Sequence, residues 1–232
     1  MSEAVGRLKA VLTGRAVPYT RAGSTSAIAK RPVHGAVAVG PEGLDGDEQG
    51  DRRVHGGADK AVHCYPWSHV EAWRRELPAS AVLHEGPGAF GENFSLEPGL
   101  DETSVCIADR WAIGDALFEV SQGRQPCWKL NDRFGVPDMA RRVQQSTRAG
   151  WYLRVLAPGH VRAGDPIHRV ARPHPAWSIA RLLRVIAERD CDPVTLGEIV
   201  ALPLPSSWMK LFQGRLASGQ VEPWSRRMDG GA

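Results

Sequence analysis

Short apolar runs separated by Gly, Pro and Asp dominate the chain up to about residue 175. Runs of this length, bounded by turn-forming residues, are typical of β-strands. The clearest of them predict strands at 35–39, 104–108, 116–120 and 151–156, followed by a last strand or hairpin within 161–170. Because these strands are short and irregularly spaced, we expect a barrel rather than a doubly wound sheet.

Two helical patterns interrupt this β region. Residues 67–76 place Val70 and Trp73 on one side and charged residues on the other, which is typical of an amphipathic helix. Residues 138–145 follow a Val-Pro-Asp start signal and predict a second helix. The region is therefore expected to be mainly β with a few flanking helices.

The pattern changes after Arg172, where two prolines around a histidine form a short linker. Apolar residues then recur at helical spacing in 178–188, 195–202 and 206–216, and Thr195 opens the second helix in a capping-box pattern. We expect three domains or segments: a barrel over 1–172, a three-helix appendage over 173–222 and a flexible tail over 223–232.

Composition narrows the class of protein. The 232 residues are 42% hydrophobic and 24% charged, as in ordinary globular domains, and the net charge of +3 does not by itself indicate nucleic acid. No run approaches the length of a membrane span or of a signal peptide, so we expect a cytoplasmic protein with no membrane partner. Its four cysteines are then reduced, and no C-x-x-C pair indicates structural zinc.

Cys127 is the cysteine best placed for chemistry. It follows a predicted strand, Arg124 and Lys129 flank it, and no acidic residue lies between Ser121 and Asn131. Positive surroundings favour the thiolate, which is both the nucleophile and the soft metal ligand. Pro126 ends the strand and stiffens the turn. From these residues alone, Cys127 fits a nucleophile, a carrier or a metal ligand.

The segment 43–60 offers two further interpretations. Its acidic residues suggest calcium, but the acidic residue that closes an EF-hand loop is missing, which favours a solvated acidic turn. His55, Gly56 and Gly57 then form a turn whose backbone N–H groups suit an anion, with Lys60 adding charge. A hairpin turn beside a histidine explains the same residues equally well.

Two weaker segments and the charge distribution complete the picture. Asn93 ends a Gly-rich loop and can orient a polar ligand or stabilise a turn, while Lys30 ends a polar loop. Residues 121–154 hold seven Lys or Arg and two Asp, a balance suited to a phosphate-bearing ligand or to a solvated basic face.

These segments together resemble the MOSC family, whose domain is named for the C-terminus of molybdenum-cofactor sulfurases, and within it the YiiM-like subfamily of hydroxylaminopurine-resistance proteins. Five pieces occur in order, at 26–30, 43–47, 55–62, 91–93 and 125–130, and the last three helices resemble the appendage of that subfamily. Gly123 and Ala58 stand where some relatives carry proline, and neither change removes a functional atom.

The resemblance implies a MOSC-type β-barrel that binds a molybdenum–pterin cofactor, with Cys127 as the protein ligand to molybdenum. It places a lysine and a histidine beside this cysteine as catalytic groups, for which Lys30 and His55 match best and Lys129 is a second lysine candidate. The cofactor contacts that it implies are Asp47, His55, Gly56, Gly57, Lys60, Asn93, Arg124 and Lys129.

The expected reaction is a two-electron reduction of an N-hydroxylated base or similar compound to its amine, a detoxification in which His55 or Lys30 acts as general acid. No flavin or iron–sulfur motif is visible, so a separate flavoprotein is expected to supply electrons. A non-redox carrier of the cofactor or of sulfur, and a cysteine-nucleophile transferase or hydrolase, remain alternatives. Relatives suggest a homodimer, although no self-complementary surface is readable.

Overall fold

A computed structural model describes residues 3–50 and 56–230. Within these ranges the strands are β1 (Glu3–Thr13), β2 (Val17–Pro18), β3 (Thr25–Ser26), β4 (Arg31–Pro32), β5 (Val37–Gly40), β6 (Gly43–Leu44), β7 (Val62–Pro66), β8 (Phe94–Leu96), β9 (Arg110–Ile113), β10 (Ala116–Gly123), β11 (Trp151–Ala157), β12 (Gly159–Val161) and β13 (Pro166–Ala171). A 3-10 turn occupies Ala58–Lys60.

Seven of these strands form a closed barrel in the order β13-β9-β10-β11-β7-β8-β1, and β1 pairs back onto β13. Neighbouring strands are antiparallel except β7 and β8, which are parallel. Large aromatic side chains fill the interior, where the rings of Trp111 and Trp151 meet edge to face at 5.9 Å. The expected barrel is confirmed.

Eight helices accompany the strands in the described residues. They are α1 (Trp67–Glu76), α2 (Ala81–His84), α3 (Lys129–Phe134), α4 (Met139–Ser146), α5 (Ile179–Ala187), α6 (Pro193–Val200), α7 (Ser206–Ser218) and α8 (Ser225–Asp229). None of them is long and apolar enough to cross a membrane. Helix α1 has the bounds predicted from its pattern, and α5 to α7 confirm the three C-terminal helices.

The start of α6 differs from the capping box expected at Thr195. Asp192 is the N-cap instead, and its side chain accepts the backbone N–H of Thr195 at 2.8 Å. Pro193 supplies the first helical residue, where its missing N–H has no cost. The helix therefore begins two residues before the predicted start.

The predicted strand at 104–108 is wrong. Its residues form turns, with one isolated bridge from Cys106 to Ser178, and Ala108 has a positive φ of 60°. The buried Asp109 carboxylate accepts the Cys106 N–H at 3.0 Å and pairs with Arg172, so polar contacts rather than a sheet satisfy this backbone. An apolar run was mistaken for a strand because turns can also be buried.

Within the segment expected to be a flexible tail, the structure describes residues 223–230. Residues 225–229 form α8, and Met228 is fully buried. Arg21 donates to the carbonyl oxygens of Asp229 and Gly230 at 2.8 and 2.9 Å, which fastens the segment to the barrel side. The division of the chain at residue 172 stays a prediction.

Candidate functional site

A cleft of about 90 Å³ lies at one end of the barrel, next to the segment that follows β10. Its walls bring together seven of the residues singled out by their sequence: Lys30, Asp47, Lys60, Asn93, Arg124, Cys127 and Lys129. His55 lies outside the described residues. Segments distant in sequence therefore meet around the cysteine.

Cys127 is held between the barrel and α3. Strand β10 ends at Gly123, after which the Arg124 N–H donates to the Gly150 carbonyl at 2.9 Å. The Cys127 carbonyl then accepts the Leu130 N–H at 3.0 Å as α3 begins. The side chain is half-buried and faces the cleft, so a ligand can reach the thiol.

Gly123 owes its residue type to packing. A Cβ added there would lie 2.8 Å from Leu183 Cδ2, on the helix α5 that covers this part of the barrel. Contacts shorter than 3.0 Å force a neighbour to move, so the helical unit approaches the strand closely just where the strand leads to Cys127.

Lys30 and Asp47 form a buried ion pair on one wall, with 8% and 6% of their side-chain surfaces exposed. The Asp47 carboxylate also accepts the Gly14 N–H and the Asn93 amide, each at 2.8 Å. Burial lowers the pKa of Lys30, and the charges of Asp47 and Glu92 oppose this effect. The lysine is thus a positioned ammonium that releases its proton more readily than a solvated one.

Asn93 joins this wall to the barrel. Its Oδ1 accepts the His63 N–H at 3.1 Å, and its Nδ2 donates to the Leu12 carbonyl at 3.2 Å as well as to Asp47. All polar atoms of the amide are therefore used within the protein. The geometry favours a structural anchor for Asp47 over a side chain free to orient a ligand.

Two further residues that line the cleft, Lys60 and Arg124, are positively charged. Burial lowers the pKa of Lys60, while interactions with Asp59 and Cys127 raise it. Arg124 is only 6% exposed, and its Nη1 has no hydrogen-bond partner among the described residues. A buried guanidinium nitrogen without a partner among the described residues, in a cleft that the half-buried Lys60 also lines, favours an anionic ligand.

Two side chains in the cleft were missed by the sequence reasoning, His63 and Tyr152. They are direct partners in the β7–β11 pairing, and their ring centroids lie 5.1 Å apart. Burial, then the charge of Arg124, lowers the pKa of His63 well below its ordinary value, so this imidazole is neutral. Only the register of the two strands brings them together, and no sequence signal gives that register.

Lys129 and the turn at Gly56 and Gly57 make hydrogen bonds within the protein. Lys129 lines the cleft, but its Nζ donates to the Thr25 carbonyl at 2.6 Å. Gly56 and Gly57 are not among the lining residues, and the Gly57 N–H donates to the Gln49 side chain at 3.2 Å. Lys30 is therefore the better placed of the two lysines, since its partner is a carboxylate inside the cleft.

The described acidic residues Asp47 and Glu48 bind protein groups. Asp47 serves the ion pair, and Glu48 accepts the Ala16 N–H and pairs with Arg15, both at 2.8 Å. In the described ranges there is no cluster of three or more His, Cys, Asp or Glu side chains that could hold a metal. A metal at this cleft would need most of its ligands from a cofactor, with the Cys127 sulfur as the protein's share.

These features define a class of protein: a seven-strand barrel that carries a cysteine in a basic cleft and is followed by a helical unit. The MOSC domain matches residues 51–168, and the YiiM-like 3-alpha helix domain matches residues 177–219. The chain is 39% identical to Protein YiiM of Escherichia coli (strain K12) over 221 residues, which cover 95% of this chain and 97% of that protein. The chain belongs to the MOSC family, a molybdenum-cofactor-related domain family.

Two further relatives extend the comparison. A protein of Gibberella moniliformis named "Reductase" is 39% identical over 195 residues, which cover 84% of this chain but only 34% of that longer protein. The crystal structure of YiiM from Geobacillus stearothermophilus matches with a TM-score of 0.76 and 34% identity, covering 90% of this chain and 98% of that one. The barrel and the helical unit are thus shared with a solved relative over nearly its full length.

Proposed function

We propose that this protein binds the molybdenum cofactor in the cleft beside Cys127 and reduces N-hydroxylated bases or related compounds to amines. The observation that carries the proposal is the half-buried Cys127 thiol facing a cleft that Lys60 and Arg124 also line, where one Arg124 nitrogen has no hydrogen-bond partner in the part of the chain that the structure describes. A thiolate suits a soft, oxidisable metal, and the two cations suit the phosphate of a pterin cofactor. The fungal relative named "Reductase" supports the reaction class.

The residues present fit such a group. Cys127 would hold the metal, while Arg124 and Lys60 would bind the anionic end of the cofactor. When bound, the cofactor supplies the two-electron redox chemistry. The pKa of Lys60 is lowered by burial, and a bound anion would oppose that effect. Binding the anion would therefore stabilise the charged cleft.

Lys30 has the position and chemistry of a general acid. In the reduction, the N–O bond breaks, two electrons and two protons enter, and the products are the amine and water. The Lys30 ammonium can donate a proton to the leaving oxygen, because burial lowers its pKa and Asp47 holds its direction. The electrons come from a separate protein, for which a flavoprotein is the expected class.

The test is Cys127→Ser, expressed in a host that makes the cofactor. We expect the native protein to carry about one molybdenum per chain and to reduce an N-hydroxylated purine with an artificial electron donor. Serine offers a harder oxygen ligand, so the variant should lose most of the metal and the activity. Cys191→Ser is the matched control, because Cys191 is also half-buried but does not line the cleft.

Two outcomes would contradict the proposal. If Cys127→Ser keeps its metal and full activity, the cysteine is not the ligand. If the native protein holds the cofactor but reduces nothing faster than the free cofactor does, the chain is a carrier rather than a reductase.

A further inference from the structure

The C-terminal helix α8 contacts the chain on both sides of Cys127. The Trp128 N–H donates to the Arg227 carbonyl at 2.8 Å, and Arg227 Nη1 donates to the Pro126 carbonyl at 2.7 Å. One residue of the tail therefore binds the peptide group before the cysteine and the peptide group after it.

Arg227 is itself held in place. Its second terminal nitrogen, Nη2, donates to the Gln144 side chain on α4 at 2.7 Å. The neighbouring Met228 is fully buried, and its carbonyl accepts the side-chain amide of Asn131 at 2.9 Å. A guanidinium fixed at two ends is a rigid link between α4 and the Cys127 segment.

We propose that Arg227 is a positioning residue for Cys127, which fixes the direction of the thiol in the cleft through Pro126 and Trp128. Its consequence for cofactor binding rests on the proposed function. The half-buried cysteine otherwise lies in a stretch of irregular backbone between Gly123 and α3, where few main-chain hydrogen bonds limit its motion. The proposal gives the tail, which lies outside the two matched domains, a role at the site.

Helix α8 has other attachments, so a change at Arg227 should not release it. Arg21 donates to the carbonyls of Asp229 and Gly230, and Arg141 pairs with the Asp229 carboxylate at 2.9 Å. The test can therefore separate the local link from the docking of the helix.

The experiment is hydrogen–deuterium exchange on Arg227→Met, followed over residues 126–131. The variant loses the side-chain hydrogen bonds from Arg227 to Pro126 and Gln144, which should loosen the segment around Cys127. The exchange rate of the Trp128 amide, which donates to the Arg227 carbonyl, should then rise about tenfold, with the barrel strands unchanged. Arg227→Lys keeps a charged donor and should restore part of the protection. Arg226→Met is the matched control, since it removes the same charge from an exposed position of the same helix and should exchange like the native protein.

Molybdenum content separates this proposal from the proposed function. If both hold, Arg227→Met loses metal several-fold while Arg226→Met does not. If Trp128 exchange rises but the native protein never carries molybdenum, Arg227 positions the cysteine and the proposed function fails. Unchanged exchange in Arg227→Met, or an equal rise in Arg226→Met, would overturn the positioning role. If Arg227→Met does not fold, the intermediate exchange expected of Arg227→Lys decides.

Discussion

The buried pair of Lys30 and Asp47 shows why two charges persist inside this cleft. Burying an ion costs several kcal/mol unless partners compensate. Asp47 keeps two N–H donors besides the lysine, from Gly14 and Asn93, whereas Lys30 has no salt-bridge partner other than Asp47 within the described residues. Removing the Asp47 charge therefore leaves Lys30 without its carboxylate partner, whereas removing Lys30 leaves Asp47 with two N–H donors.

This asymmetry gives a prediction for stability. Asp47→Asn should lower the free energy of unfolding by about 3 kcal/mol or more, because it leaves a buried ammonium without its carboxylate. Lys30→Met should cost less, since the Asp47 carboxylate keeps its two N–H donors. Urea denaturation of both variants measures the order. Asp138→Asn is the control, because its pair with Arg142 is about half exposed and should contribute little. The reverse order would contradict the argument.

Residue chemistry predicted part of the candidate site and missed the rest for a physical reason. The charge around Cys127 pointed to the cysteine, and the family resemblance pointed to Lys30 and Lys60, all of which line the cleft. His63 and Tyr152 carry no such local signal, because they become neighbours only through the β7–β11 register. A pairing between strands about 90 residues apart is not encoded in either strand alone.

At the scale of elements, the loop 88–93 is shaped by its own buried carboxylate. Glu92 is fully buried and accepts the N–H groups of Gly88 and Phe90 at 2.7 and 3.1 Å. Burial raises the pKa of Glu92, and these backbone donors oppose the rise. Gly91 has a φ of 73°, and a Cβ there would lie 2.7 Å from Ile28 Cγ1, so the loop presses against the segment that carries Lys30.

Gly91→Ala should therefore lower the free energy of unfolding for two reasons. The positive φ alone costs an alanine about 1–2 kcal/mol, and displacing Ile28 adds roughly 1–3 kcal/mol. Gly23→Ala is the matched control, because Gly23 has nearly the same φ of 72° and no atom within 4 Å of the added Cβ. Thermal or urea unfolding of both variants isolates the second cost. Equal losses would show that Ile28 moves freely.

Strand β1 is an element that the sequence pattern did not predict. Strand β1 escaped notice although Leu8, Val11 and Leu12 are fully buried, because register shifts after Ala4 and Leu8 break its alternation. The regular helix α1, by contrast, keeps a constant period and was predicted with its bounds. Irregular strands lose the signal on which sequence reasoning depends.

At the scale of the whole molecule, contacts between distant parts of the chain complete the barrel and attach the helical unit. Strand β1 pairs with β13, joining Glu3 to Arg169. In the helical unit, Arg215 is 1% exposed and bonds to Glu222 at 2.7 Å, and Glu222 in turn accepts the Trp224 side chain at 2.7 Å just before α8. This chain of contacts links the three-helix unit to the tail beside Cys127, which composition alone could not predict.

The stability of the whole fold should depend on pH through His63. Burial, then the charge of Arg124, holds its pKa well below the ordinary 6.5, and the Lys30 charge acts in the same direction. Backbone hydrogen bonds with Ala149 and Gly91 raise the pKa of His63 only partly. The neighbouring rings of Tyr65 and Tyr152 carry no charge near neutral pH or below it. Below pH 6.5 His63 therefore binds a proton in the unfolded chain but not in the folded chain. The stabilisation is complete above pH 6.5 and is lost as the pH falls toward the lower folded pKa.

His63→Gln should remove this dependence. In the native protein one such site contributes a loss of up to about 1.4 kcal/mol per pH unit below 6.5. Urea unfolding at pH 7.5, 6.5, 5.5 and 4.5 should give a shallower decline for His63→Gln than for the native protein, whatever its absolute stability. His34→Gln, at an exposed position, is the control and should follow the native slope. If His63→Gln declines in parallel with the native protein, other groups must dominate its acid unfolding, because any group that binds a proton in the unfolded state but not in the folded state produces such a slope.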